Sequence, residues 1–208
     1  MRYSREHKQE THDRIVKKAS VRLREKGAHG IGVADLMKEA GLTHGGFYAH
    51  FDSREALVME AFSYAMDRSM DHWRELTDEA APEKRLALVA ESYLSTLHRD
   101  NPGSGCSIPA LGAEIARESP KTRKAFAGKL DEMIELLADY IPNMPRKAAR
   151  KQAVATMATM AGTVLLARIA GSSELSDEVL KAGRDSALDG DKRERKVIPN
   201  NAVDLEPK

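Results

Sequence analysis

Residues 31–51, Ile31-Gly-Val-Ala-Asp-Leu-Met-Lys-Glu-Ala-Gly-Leu-Thr-His-Gly-Gly-Phe-Tyr-Ala-His-Phe51, constrain the fold more than any other stretch. Val33, Leu36, Met37 and Ala40 recur at helical spacing, so a short helix there offers one apolar face. Gly41 ends it, because glycine enters the left-handed region cheaply. Leu42 follows as a lone apolar peg, and Thr43 is a suitable N-cap for a second helix. That helix carries Phe47 and Phe51 on one side, with His44, Gly45, Tyr48 and the edge of Ala49 towards the other. Two short helices about a glycine-containing turn form a helix-turn-helix, whose second helix enters the DNA major groove. The competing reading is a plain helical hairpin inside an all-α core. The outer face favours the first, since it combines two glycines, two histidines and a tyrosine. A helix kept only for stability carries Glu, Lys or Ala there, because each Gly costs about 1 kcal/mol relative to Ala.

Gly41-Leu-Thr-His-Gly-Gly-Phe-Tyr-Ala-His-Phe-Asp-Ser-Arg-Glu-Ala-Leu57 resembles the recognition-helix signature of the TetR/AcrR family of transcriptional regulators. The similarity extends back through Arg14-Ile-Val-Lys-Lys-Ala19 and Lys26-Gly27, covering roughly residues 8–60. It implies that Thr43, Tyr48, His50 and Arg54 touch phosphates and that His44 and Gly45 face bases, with Gly46 in the same bare segment. Phe47 and Phe51 are core anchors. It also implies a repressor of a palindromic double-stranded operator, released by a small-molecule or electrophile effector and paired as a homodimer through its last two helices (about 145–187). Gly32 and Ala34 stand where the family commonly has a Ser or Thr cap and an Arg-like residue, which leaves Arg2, Arg5 and Lys38 to compensate. With no Arg, Asn or Gln on the recognition face, specificity leans on DNA shape and backbone contacts.

Charge supports the DNA reading only through its distribution. The chain carries a net +1, yet residues 1–55 hold 11 Lys/Arg against 8 Asp/Glu and five of the seven histidines. At 208 residues it is long enough for a buried core. No run of eighteen apolar residues and no signal-peptide pattern occurs, so the expectation is a soluble, cytoplasmic protein that does not engage a membrane. A single cysteine excludes an intramolecular disulfide framework.

Helical residues dominate, and no segment alternates with period two long enough for a strand, so the fold class is all-α. A three-helix helix-turn-helix domain (1–52) is joined by a long helix to a larger helical effector-binding and dimerisation domain (53–189), with a charged, patternless tail (190–208). Helix 1 is expected over 8–26, behind a polar arm at 1–7. Asp52-Ser-Arg-Glu55 has capping-box form and opens the long helix, which reaches about Thr77. Helices follow over 83–99, 108–117, 120–140, from Pro145 to Gly171, and over about 174–187, with Asn101-Pro-Gly-Ser-Gly105 as the clearest loop. In the Ala-rich penultimate helix Val154, Met157, Ala161 and Leu165 make one stripe beside Ala158 and Gly162, fit for close packing on a core or on a second chain.

Met66, Met70, Trp73, Tyr93, Leu97 and Met133 are candidate effector-pocket residues by type. Cys106 is a sharper candidate. It follows a flexible Gly-Ser-Gly and precedes a helix N-terminus, where the dipole favours a thiolate. The Ser104-Gly-Cys106 pattern is similar to a branch of the family in which some members sense electrophiles at this cysteine. Burial as a small apolar filler is the plainer reading. The rival classes are a thiol enzyme, with Cys106 as nucleophile and His98 or His72 as base, and a helical interaction module. No cofactor is implied, and His7/His12 and His44/His50 lack the i, i+4 spacing of a helical metal site.

Overall fold

In the computed structural model, residues 5–27 and 32–188 are described. Arg2 and the tail at 190–208 lie outside them. The described residues form nine α-helices, α1 (Arg5–Lys26), α2 (Val33–Glu39), α3 (Arg54–Thr77), α4 (Pro82–Tyr93), α5 (Thr96–Asp100), α6 (Ser107–Ile115), α7 (Pro120–Asp139), α8 (Arg146–Ala170) and α9 (Glu174–Leu188). Two 3₁₀ segments, His44–Ala49 and Pro102–Ser104, complete the order, and no strand occurs among the described residues.

Ile15, Ala19 and Leu23 of α1 are buried together with Leu36 and Met37 of α2 and with Phe47 and Phe51. Gly41 adopts φ +75°, the left-handed turn expected between the two short elements. Gly32 stands at the N-cap of α2 and supplies no side-chain hydrogen bond, so the missing cap is real. The second short element differs from expectation in being 3₁₀ rather than α: the Gly46 N–H donates to the Thr43 carbonyl and the His50 N–H to that of Phe47. Two adjacent glycines within six residues give an α-helix little to propagate on.

The long helix α3 spans 24 residues without a break, about 36 Å. Its cap sits one residue later than expected. Ser53, not Asp52, accepts from the Ala56 N–H, and Glu55 instead reaches across to Ser119 (3.1 Å) and Thr122 at the start of α7. The Thr122 hydroxyl holds the Glu55 carboxyl below its ordinary pKa, with Ser119 adding to the effect. Further along, Phe62 meets Phe126 edge-on at 3.9 Å and Lys129 pairs with Asp67 at 2.7 Å, so α3 is fastened to α7 along its length.

The helix expected over 83–99 is two helices. Ser95 donates to the Ser92 carbonyl and accepts from the His98 N–H, so hydroxyls compete with the ladder at Leu94–Ser95 and restart it as α5. Helix 1 begins at Arg5, taking in part of the expected arm. The Pro102–Ser104 segment is packed against α1 rather than loose, with Gly103 buried beside Val21 and Glu25.

In α8 the expected single stripe divides. Met157 is buried with Ala149, Ala153, Met160, Val164 and Ala167, whereas Val154 and Leu165 are exposed. By length and composition α8 is apolar enough to cross a membrane. In this fold, though, it packs against α6, α7 and α9 as a core helix.

Candidate nucleic-acid interface and effector cavity

The recognition segment is a bare ridge on a greasy footing. Phe47 and Phe51 stack at 5.5 Å beneath it, and His12 of α1 stacks on Phe51 at 4.5 Å while pairing with Glu60 at 2.6 Å. These contacts fix the segment between α1, α2 and α3. Thr43, His44, Gly45 and Ala49 are exposed above it, and Tyr48 stands out at 70 % exposure. Lys38 is exposed on the last turn of α2 and Arg54 on the first turn of α3. A Cβ at Gly45 would meet nothing within 4 Å, so nothing inside the chain requires a glycine there.

Two of the predicted contact residues sit differently from the rest. Gly46 is half-buried, its Cα turned towards the Met37 methyl, 3.6 Å from where a Cβ would lie. His50 closes the segment, half-buried with its Nδ1 enclosed and unpartnered. Burial lowers its pKa, and the nearby His12 and Lys8 lower it further. Thr43 occupies the N-cap position without a side-chain capping bond.

A cleft of about 450 Å³ lies where α1, α3, α4 and α5 meet the 102–106 turn, within the size range of small-molecule sites. It brings together Cys106, Trp73, Tyr93 and Leu97 of the expected set. Met66, Met70 and Met133 do not line it; all three are buried in the general core.

The floor of the cleft is a tightly determined piece of hydrogen bonding. His98 donates from Nδ1 to the Tyr93 carbonyl at 2.6 Å, and its Nε2 accepts the Cys106 backbone N–H at 2.9 Å. A carbonyl can only accept and an N–H can only donate, so this ring is held in the neutral Nδ1–H tautomer. Burial, the main cause, brings its pKa down to about 4. Gly105 lies flat against the ring, where a Cβ would stand 2.3 Å from His98 Cδ2.

Cys106 is the N-cap of α6 and is buried. Burial raises its thiol pKa, against the opposing pull of the Tyr93 hydroxyl, so desolvation outweighs the helix dipole on which a thiolate was expected. Neither rival base reaches the sulfur: His98 is committed to the backbone, and His72 Nε2 pairs with Ser92 Oγ at 3.3 Å. Among the described residues no three His, Cys, Asp or Glu side chains are grouped to hold a metal ion.

Sequence reasoning missed the cations of the cleft, Lys17, Arg24 and Arg68. Arg24 Nη1 donates to the Gly105 carbonyl at 2.9 Å, joining α1 to the turn that carries Cys106. A signal existed, because Val16, Ser20 and Arg24 continue a buried face of α1 at four-residue spacing.

A helix-turn-helix set on an all-helical body is the architecture of a DNA-binding protein. Residues 15–61 match the family model of bacterial regulatory proteins of the tetR family, and residues 82–181 match the C-terminal domain of LmrA/YxaF-like transcriptional regulators. The chain belongs to the TetR family and is a DNA-binding transcriptional regulator. It is 29 % identical over 167 residues to an HTH-type transcriptional regulator of Mycobacterium tuberculosis, covering 76 % of this chain and 84 % of that one. Among solved structures, a TetR regulator from Chloroflexus aurantiacus aligns with TM-score 0.72 at 24 % identity, over 88 % of this chain and 94 % of that one. One from Cytophaga hutchinsonii gives 0.74 at 20 %, over 91 % and 98 %. At these identities the structural likeness establishes the fold.

Proposed function

We propose that this chain is a cytoplasmic, homodimeric repressor whose recognition segment reads a palindromic operator and is withdrawn when the 450 Å³ cleft is filled. The carrying observation is the ridge of His44, Gly45 and Tyr48, bare of bulk and pinned from below by Phe47 and Phe51. In this reading residues 1–52 bind DNA and residues 53–189 bind the effector and the second chain. Thr43, Tyr48, His50 and Arg54 hold phosphates, Lys38 adds charge, and His44 and Gly45 approach bases. Gly46 belongs to the same bare segment, and since a Cβ there would meet the Met37 methyl at an ordinary contact distance, packing on α2 does not require the glycine.

Release needs two conformations. A ligand that prefers the form with wrongly spaced recognition segments shifts the population off DNA. Consecutive major-groove faces lie about 34–36 Å apart, so a small swing of α3 is enough to break register. A near-complete switch requires roughly 5 kcal/mol of differential binding. Modification of Cys106 is a second trigger acting at the same place, because Cys106 is among the residues that line the cleft. If a Cys106→Ser protein responds to N-ethylmaleimide as the native one does, that trigger is wrong.

Filter binding at several salt concentrations tests the DNA assignment. Tyr48→Phe and Arg54→Ala weaken binding to all duplexes, with Arg54→Ala lowering the salt slope by about 1, whereas His44→Ala alters sequence preference. Unchanged slopes and unchanged preference in all three variants contradict it.

A further inference from the structure

The cleft has an unbalanced charge. Lys17, Arg24 and Arg68 line it, together with His72, His98 and several serines, and no Asp or Glu is among its lining residues, although Arg68 has a partner just outside in Asp71 at 3.8 Å. Arg24 is the decisive member. It is 8 % exposed, and among the described residues it forms no ion pair and one hydrogen bond, to the Gly105 carbonyl. Its Nε is buried with no acceptor. An arginine cannot shed its proton to escape such a site, so the missing counter-charge is a standing cost.

The vacancy is shared by neighbours. The Tyr93 hydroxyl, on a residue 4 % exposed that lines the same cleft, makes no hydrogen bond of normal geometry; its polar neighbour is the Cys106 thiol. Behind the turn, Arg168 of α8 donates to the carbonyls of His98 (2.9 Å) and Arg99 (3.0 Å), and its Nη1 is likewise enclosed without an acceptor. Arg168 Nη2 lies 3.3 Å from where a Gly105 Cβ would be, so the Gly105 backbone sits between two guanidinium groups. Of the five buried side-chain polar atoms without partners among the described residues, three are therefore donors gathered around one turn. Trp73, Leu97 and Val21 supply the apolar wall.

We infer that the cleft takes a small organic carboxylate with an apolar body, its carboxylate pairing with the Arg24 guanidinium and reaching the Tyr93 hydroxyl as the side chains that now enclose both shift aside. This rests on reading the cleft as the effector site and names the chemistry of what fills it. It also supplies a route to DNA. The ligand's head would engage the same guanidinium that ties α1 to the 102–106 turn, and α1 packs directly on the recognition domain's core through Ile15, Ala19 and Leu23.

The test uses the full-length protein and a panel of acids, benzoate, phenylacetate, hexanoate and octanoate, each beside its own primary amide. Thermal shift and calorimetry read binding, and operator release is followed in parallel. The expected result is that at least one acid binds roughly 10-fold or more tightly than its amide, as charge-assisted hydrogen bonds to a buried arginine imply. That advantage falls to about 2-fold or less in Arg24→Gln and shrinks several-fold in Tyr93→Phe. Tyr93→Phe removes the hydroxyl and its contact with the Cys106 thiol while keeping the buried ring, and it carries the test if Arg24→Gln does not fold. Three results overturn the inference: no acid binds, the amides bind as tightly as the acids, or the acid's advantage survives in Tyr93→Phe and in any folded Arg24→Gln. Amides that bind and release the operator where acids do not would leave the cleft as the effector site and remove only its preference for an anion.

Discussion

His98 shows how one side chain can be fixed from both ends. Its ring donates to the Tyr93 carbonyl and receives the Cys106 N–H, and protonation would place a second N–H against that backbone N–H. The folded-state pKa of about 4 lies below the unfolded value near 6.5, so the folded protein binds this proton less readily. The contribution is complete above about pH 6.5 and is lost as pH falls towards 4. Urea denaturation should show a loss of about 2–3 kcal/mol from this group between pH 7 and pH 4.5. His98→Gln, which cannot titrate, should flatten that part of the slope, and equal slopes in the two proteins would contradict the assignment. The sequence could place His98 near Cys106 only in number. Their meeting depends on the break at Ser95, a competition between hydroxyl and ladder that periodicity does not register.

At the scale of elements, what was legible is what the local chain decides by itself. Gly41 has to stop a helix, Ser119-Pro120 has to start one, and the apolar spacing of α1, α2 and α7 has to face a core. What was hidden depends on partners far along the chain. Glu55 was read as a capping-box member because Asp52 lies three residues before it, but Ser119 and Thr122 compete for its carboxylate and Ser53 takes over the cap. The thiolate expected of Cys106 failed for the same reason. A helix N-terminus can be read from the sequence, whereas enclosure by Tyr93, Arg24 and the 102–106 turn cannot. Arg24 was overlooked because an arginine near the end of a helix ordinarily complements the dipole, and only packing shows it turned inward.

For the whole molecule, α8 carries the main consequence. One arc is consumed by the chain's own core, and on another Val154, Ala158, Ala161, Leu165 and Ile169 recur at four-, three-, four- and four-residue spacing. Ile169 is 73 % exposed there, and Leu175 at the start of α9 is 59 % exposed. An apolar stripe of this length on a two-helix face fits a four-helix bundle with a second copy, the pairing proposed above. Leu165→Glu sets a carboxylate in the middle of that stripe. Sedimentation should show the variant as a monomer at concentrations where the native chain is a dimer, and its operator affinity should fall by at least about 10-fold, because a single recognition segment then acts alone. A dimer that persists unchanged would move the interface elsewhere.

The recognition ridge is bare for the sake of a duplex, or for no reason the chain itself supplies. Gly45 isolates that question, since a methyl group there touches nothing within the chain and its φ is ordinary. The direct measurement is the affinity of native and Gly45→Ala proteins for duplex DNA from upstream of the chain's own coding region, at low salt and without effector, alongside their melting temperatures. The expected native protein binds, and the variant melts no lower, gaining up to about 1 kcal/mol from the better helix former, yet binds at least about 10-fold more weakly, as follows when a close apposition worth about 1–3 kcal/mol is lost. A native chain that ignores the duplex, or an alanine variant that binds it equally well, would contradict that role for the ridge.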